Sequence, residues 1–122
     1  MKYLCMVIVD EEKLHALSES ELQALDDESL AHDATLRQGG HLIAAQALQS
    51  VTTATTVRVR NGKVSLTDGP FAETNEQMGG FILIEANDLN EAIRLASQIP
   101  VIRYGAVEVR PVKELVPSSD RA

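Results

Sequence analysis

The sequence contains few of the residue types that usually point to a chemistry. Its 122 residues include one cysteine, Cys5, so neither a disulfide nor a multi-cysteine metal site can form within one chain. There is no Trp, and only two Phe and two Tyr are present. Basic residues are also few, since 11 Lys and Arg face 18 Asp and Glu and leave a formal charge of −7. That balance argues against nucleic acid and anionic membrane surfaces as partners, because both are bound through positive charge.

Long apolar segments and cofactor motifs are missing as well. No segment approaches the roughly 20 apolar residues of a membrane span, and the run at residues 3–9 is too short for a signal peptide. We therefore expect a cytoplasmic protein. The three histidines lack zinc-site spacing, and neither a glycine-rich phosphate loop nor a GxSxG serine elbow occurs. We predict that the protein uses no metal and no other cofactor.

Four segments have the pattern of strands in one sheet. Residues 2–9 and 79–85 are apolar at nearly every position, which is typical of central strands that are covered on both faces. Residues 41–48 are a weaker candidate because they contain several Ala. Residues 106–112 alternate apolar and charged side chains, which favours a half-buried or edge strand.

Two helices are predicted between these strands. Ser18 and Glu21 form a capping box at the start of the first helix, and two glycines at residues 39–40 end it. Asp88 caps the second helix, and Pro100 stops it. The apolar stripe predicted to pack this second helix on the sheet comprises Leu89, Ala92, Ile93, Ala96 and Ile99.

A β-hairpin is the clearest local prediction. Asn61 and Gly62 separate two alternating segments, residues 56–60 and 63–67, and Asn-Gly here is typical of a type I′ turn. We expect one face of the hairpin to be buried and the face that carries Arg58 to be in water. The cross-strand pairs on the apolar face are Val59 with Val64 and Val57 with Leu66.

The order of elements predicts an α+β fold in a single domain, residues 1–116, with a frayed tail at residues 117–122. Without the hairpin the order is βαββαβ, the ferredoxin-like unit with an antiparallel sheet and its first and third strands in the centre. Both helices of that unit pack on one face of the sheet, so the other face needs a cover. We predict that a second copy supplies it in a homodimer.

The run Asp68, Gly69, Pro70, Phe71, Ala72, Glu73 follows the hairpin and indicates a loop of fixed shape. This run and its flanks resemble the YCII-related family, and more narrowly the DGPF subgroup of that family. The resemblance extends over residues 2–112. The segments that carry it are residues 54–58, 63–64, 68–74, 76–81, 84–85, 91–92 and 105–110 with Pro111.

The resemblance implies a fold and a range of functions. It implies ferredoxin-like subunits that form a dimeric α+β barrel. Many proteins of this architecture bind small organic molecules in a cleft between the sheet and the helices. Some are isomerases or cofactor-free monooxygenases, although a fold alone does not carry a function across. The subgroup is often encoded beside extracytoplasmic-function sigma factors, which implies a possible functional association with one of them.

His32 is the candidate catalytic residue. Relatives in the wider family carry a histidine on the first helix that is suspected to act with an Asp, and His32 resembles it. The residues also place His32 on the core side of the helix, in a stripe with Leu25, Ser29 and Leu36. A partly buried histidine can serve as a general acid–base group. A satisfied structural histidine is the alternative, and we favour it.

The acid partner of His32 departs from the family pattern. The relatives carry an Asp before a proline at the end of the second helix, where this chain has Ile99 before Pro100. Asp68 is the remaining candidate, if its loop folds over the first helix. Its carboxylate can equally accept hydrogen bonds within its own turn, which is the role we favour.

Three further residues are candidates for ligand binding. Phe71 and Met78 are placed near the wall of a pocket, although for Phe71 we favour the alternative that it anchors its loop to the core. Arg58 could bind an anionic ligand, or it could pair with nearby acids or face the other subunit.

Two functions fit these observations. The first is a ligand-binding or regulatory dimer without catalysis. The second is a cofactor-free enzyme that moves a proton on a small organic molecule, as isomerases and lyases do, with His32 as acid–base and Asp68 as its orienting group. The second requires His32 to lie in a cavity and within about 6 Å of a carboxylate.

Overall fold

The computed structural model describes residues 1–121 and is an α+β structure with an antiparallel sheet and three helices. The helices are α1 (Glu11–His15), α2 (Glu19–Gln38) and α3 (Leu89–Ala96). The strands are β1 (Lys2–Asp10), β2 (Leu42–Ala47), β3 (Thr55–Arg60), β4 (Lys63–Asp68), β5 (Glu76–Glu85) and β6 (Gly105–Pro111). Short 3₁₀ turns lie at Val51–Thr53, Pro100–Tyr104 and Ser118–Asp120. None of the described helices is long and apolar enough to span a membrane.

The main sheet has the strand order β2-β5-β1-β6, and all its neighbours are antiparallel. The two segments that are apolar on both faces, β1 and β5, are therefore the central strands, as predicted. One face of β1 presents buried side chains that pack against α2 and α3. Cys5 belongs to this core, and burial raises the pKa of its thiol to about 11. The members of the core on β1 are Tyr3, Cys5, Val7 and Val9.

The other face of the sheet takes no part in this core. The alternate side chains of the central strands point there and are only half-buried in the single chain. They are Leu4, Met6 and Ile8 on β1 and Phe81 and Leu83 on β5.

The predicted capping of both long helices is confirmed. The Glu21 backbone N–H donates to Ser18 Oγ at 3.1 Å, and the Ser18 N–H donates to Glu21 Oε1 at 3.0 Å. The Asp88 carboxylate accepts from the Glu91 N–H at 2.9 Å at the start of α3. The predicted end of α3 is wrong, since the helix stops at Ala96 and Pro100 instead begins a 3₁₀ turn.

The predicted stripe on α3 is also partly wrong. Leu89 and Ile93 are exposed, whereas Leu95, which the stripe omitted, is buried with Ala92 and Ala96. An eight-residue helix needs only a narrow strip of contact, and the sheet meets α3 on the side of Ala92 and Ala96. Helix α1 was not predicted, because five residues are too short for a periodic pattern.

The hairpin forms with the predicted turn and register but not with the predicted burial. Asn61 (φ 52°) and Gly62 (φ 73°) have the positive φ angles of a type I′ turn. Strands β3 and β4 pair only with each other, as a separate two-stranded sheet. Their apolar face is therefore exposed in the single chain, with side chains between 56% and 68% exposed. These side chains are Val57, Val59, Val64 and Leu66.

Candidate functional site

A cleft of about 640 Å³ opens between the helix side of the sheet, the helices α1 and α2, and the segments after β2 and α3. Its volume lies within the range of about 300–1,000 Å³ that is usual for small-molecule sites. Most of the lining is apolar, and strands and helices contribute to it alike. The apolar lining includes Val7, Val9, Leu14, Leu22, Leu25, Leu30, Leu48, Ile82, Ile99 and Val101.

His32 lines this cleft from the middle of α2. The predicted stripe places it there, since Leu25 and Leu36 are buried and Ser29 lines the cleft beside it. Both ring nitrogens of His32 are shielded from solvent, and neither makes a well-formed hydrogen bond with another described residue, although the Leu95 backbone lies close enough to be a weak partner. Buried polar groups are normally well paired, so this imidazole on a cleft wall is an exception.

Burial lowers the pKa of His32 from its ordinary value of 6.5. The Asp33 carboxylate and a weak hydrogen bond with the Leu95 backbone act in the opposite direction and only partly offset burial. The ring is therefore neutral at pH 7 and has one nitrogen that can donate and one that can accept a hydrogen bond.

Three carboxylates also line the cleft: Glu11 on α1, and Asp26 and Asp33 on α2. Glu11 is occupied, because it accepts from the Ser50 hydroxyl at 3.1 Å and from the Val51 N–H at 2.9 Å. These bonds tie α1 to the segment after β2 and fix one rim of the cleft. His15 adds a second imidazole to the lining. Among residues 1–121, no group of three or more His, Cys, Asp and Glu side chains is arranged to hold a metal.

Asp68 lies outside this cleft. It is exposed at the end of β4 and lines a separate, shallower hollow with Pro70 and Glu73. The loop is held by backbone groups, since the Gly69 N–H donates to the Ala54 carbonyl at 2.8 Å and the Thr56 hydroxyl donates to the Gly69 carbonyl at 2.8 Å. No hydrogen bond joins Asp68 to His32, so the two candidate catalytic residues are not connected within one chain.

Residues 1–116 match the family model of the YCII-related domain. The chain belongs to the YCII-related family. An uncharacterised protein of Rhizobium meliloti (strain 1021) is 33% identical over 114 residues, which cover 92% of each chain. This membership agrees with the resemblance read from the sequence at the level of the family.

The remaining candidates of this YCII-related chain also lie away from the cleft. Phe71 is 81% exposed, so the interpretation of Phe71 as an anchor to the core is wrong for the single chain. Its ring instead stacks with Arg58, whose guanidinium carbon lies 5.6 Å from the ring centre. Met78 pairs with Ile8 on β1 and is partly exposed. None of these side chains lines the cleft beside His32.

Sequence reasoning on this YCII-related chain missed Asp26 and Asp33 as cleft residues. A spacing of seven residues on α2 sets them on the same side of the helix, and His32 lies between them in sequence. That spacing was visible in the sequence. The contribution of Glu11 and His15 was not visible, because it depends on the short helix α1.

Proposed function

We propose that this chain binds a small organic molecule in the cleft beside His32, as a ferredoxin-like subunit of the DGPF type. The observation that carries the proposal is the shielded His32 ring, neither of whose nitrogens forms a well-formed hydrogen bond, on the wall of an apolar cleft. A rotation of the imidazole about its side-chain bonds would turn one nitrogen toward the cleft, where a polar group of a ligand can supply the missing hydrogen bond while its apolar part covers the leucines and valines. The strand order β2-β5-β1-β6 supports the ferredoxin-like assignment, because the first and third strands of the βαββαβ unit are central.

A thermal-shift screen of small hydroxy-aromatics and metabolites tests the proposal. A ligand that binds the folded protein raises its melting temperature according to occupancy. We expect at least one compound to stabilise wild type and to lose its effect on the His32→Ala variant. His41→Ala is the matched control, since His41 lies outside the cleft and bonds the Glu85 carbonyl at 2.8 Å. A hit that both variants retain equally would remove His32 from the site.

We also propose that the protein acts as a homodimer in the cytoplasm. Two observations support the dimer: the apolar hairpin face is exposed, and the half-buried open face of the sheet takes no part in the core. Surfaces of this kind usually meet a partner. A regulatory role beside an extracytoplasmic-function sigma factor rests on the resemblance to the DGPF subgroup alone. Sedimentation equilibrium at micromolar concentration tests the dimer, and a monomer there would contradict it.

Acid–base catalysis is the second candidate, because a neutral imidazole in a shielded cleft can take up a proton from a ligand. The geometry of one chain favours Asp33 over Asp68 as the nearby carboxylate. Once a ligand is known, NMR in deuterium oxide tests this candidate. If wild type exchanges a carbon-bound proton of the ligand for deuterium and His32→Ala does not, the result supports acid–base catalysis. If the ligand binds without exchange, the result favours a purely binding function.

A further inference from the structure

The permanently charged residues of the described cleft lining all carry negative charge. Of the described residues that line it, Glu11, Asp26 and Asp33 are acidic, and none is Lys or Arg. The only other ionisable groups of the lining are His15 and His32. The permanent charges of the described lining are therefore all negative.

Basic residues on the elements around the cleft do not belong to its lining, and this includes Lys13 on α1, between the lining residues Glu11 and Leu14. Arg103, in the turn after α3, forms an ion pair with Glu28 at 3.0 Å on the surface. Arg94 on α3 lies 3.6 Å from Glu91, its neighbour on the same helix. Arg58 stacks on Phe71 at the hairpin. None of the three lines the cleft.

A ligand that enters such a cleft gives up water and meets the carboxylates of its lining, of which Asp33 is half-buried and Asp26 is exposed. An organic carboxylate or phosphate would lose hydration without gaining a cationic partner, and carboxylates nearby would repel it. A neutral molecule avoids this repulsion, and a protonated amine is attracted by the same carboxylates. Glu11 already accepts two hydrogen bonds, so Asp26 and Asp33 are the carboxylates left to meet a positive charge.

We propose that the cleft selects uncharged or cationic, largely apolar molecules that carry one hydrogen-bonding group, and that it discriminates against organic anions. This specificity rests on the ligand-binding function proposed above. His32 supplies the hydrogen bond, and Asp26 and Asp33 supply the discrimination by charge. The volume of about 640 Å³ has room for a bicyclic aromatic compound.

Three probes of similar shape test the proposal by isothermal titration calorimetry near neutral pH. They are 2-naphthol, which is neutral, 2-naphthylmethylamine, which is cationic, and 2-naphthoate, which is anionic. We expect the neutral and cationic probes to bind at least about tenfold more tightly than the anion. In the double variant Asp26→Asn, Asp33→Asn, the Kd of 2-naphthoate should approach that of 2-naphthol.

The matched control removes two charges from α2 outside the cleft. Asp27 and Glu19 lie on the same helix and do not line the cleft, so Asp27→Asn with Glu19→Gln makes the net charge less negative by the same amount. Tight binding of 2-naphthoate by wild type would overturn the charge selectivity and leave the ligand site intact. An equal gain in 2-naphthoate affinity in the control would overturn it too, because bulk charge would then be the cause. If none of the probes binds and the broader screen yields no ligand, the proposed function itself fails.

Discussion

Strand β1 and the hairpin of β3 and β4 have similar alternating sequence patterns, but their apolar side chains lie in opposite environments. On β1, every second side chain from Tyr3 to Val9 is buried under the helices. On the hairpin, Val57 and Val64 alternate with polar residues in the same way, yet both are mostly exposed. Alternation therefore identifies residues that share a face, but it does not identify what covers that face. For β1 the cover is helix α2 and helix α3 of the same chain. For the hairpin we propose a second copy.

Truncating a side chain in the core between the sheet and the helices is expected to reduce the free energy of unfolding more than truncating an exposed one. Ile84 on β5 is 1% exposed, so Ile84→Ala should lower the free energy of unfolding by about 3 kcal/mol, through lost burial and the cavity left behind. Leu115→Ala is the control, because Leu115 is 81% exposed and its truncation should change stability by less than about 0.5 kcal/mol. Urea unfolding measures both. Equal effects would contradict the assignment of the core.

The hairpin is expected to respond through association rather than through folding of the subunit. Val64→Asp puts a charge on the apolar face of β4 and should weaken dimer formation at least about tenfold, since a buried charge without a partner is costly. Ser65→Asp puts the same charge on the opposite face of β4 and should leave the dimer intact. Sedimentation equilibrium measures both variants. If the two variants dissociate equally, the apolar face is not the interface.

Replacing His32 is expected to change the free energy of unfolding in the opposite direction to replacing His41, whose ring is hydrogen-bonded. Replacing a buried polar group whose hydrogen bonding is incomplete with an apolar one removes a desolvation penalty, so His32→Leu should raise the free energy of unfolding by about 1 kcal/mol. His41→Leu should lower it, because that change removes the bond to the Glu85 carbonyl. Urea unfolding in the absence of ligand distinguishes them. A loss of stability in His32→Leu would mean that the ring has a structural partner.

The smallest expected effect is on pH dependence. The pKa of His32 is lowered in the folded state, chiefly by burial, so the unfolded chain takes up its proton first as the pH falls. While His32 is neutral, it does not reduce the free energy of unfolding, and this holds above the ordinary pKa of 6.5. As the pH falls from there through the lowered pKa of the folded state, that free energy decreases. The unfolding free energy of wild type should therefore fall relative to His32→Leu upon acidification from about pH 8 to pH 5. A constant difference would contradict the lowered pKa.

Local features of the fold were predictable because their causes are local. The capping box at Ser18 and Glu21 and the Asn61-Gly62 turn each depend on a few adjacent residues, and both form as predicted. The central positions of β1 and β5 followed from continuous apolar runs. The buried stripe of α3 was predictable only in part, because it depends on which side of a short helix meets the sheet.

The candidate site was predictable only in part. The stripe on α2 correctly directed His32 toward the interior, since it depends on helical spacing alone. The proposed contact with Asp68 depended on how the hairpin is oriented relative to α2, which no local pattern fixes. The same reason explains Phe71, whose environment is set by a hairpin that projects from its own subunit.

A crystal structure of the protein with 2-naphthol would locate the ligand relative to His32. We expect the naphthol ring in the cleft between α2 and the sheet, with its hydroxyl oxygen about 3 Å from a ring nitrogen of His32. A ligand bound at the hollow beside Asp68, with the His32 ring paired to another protein group, would contradict it.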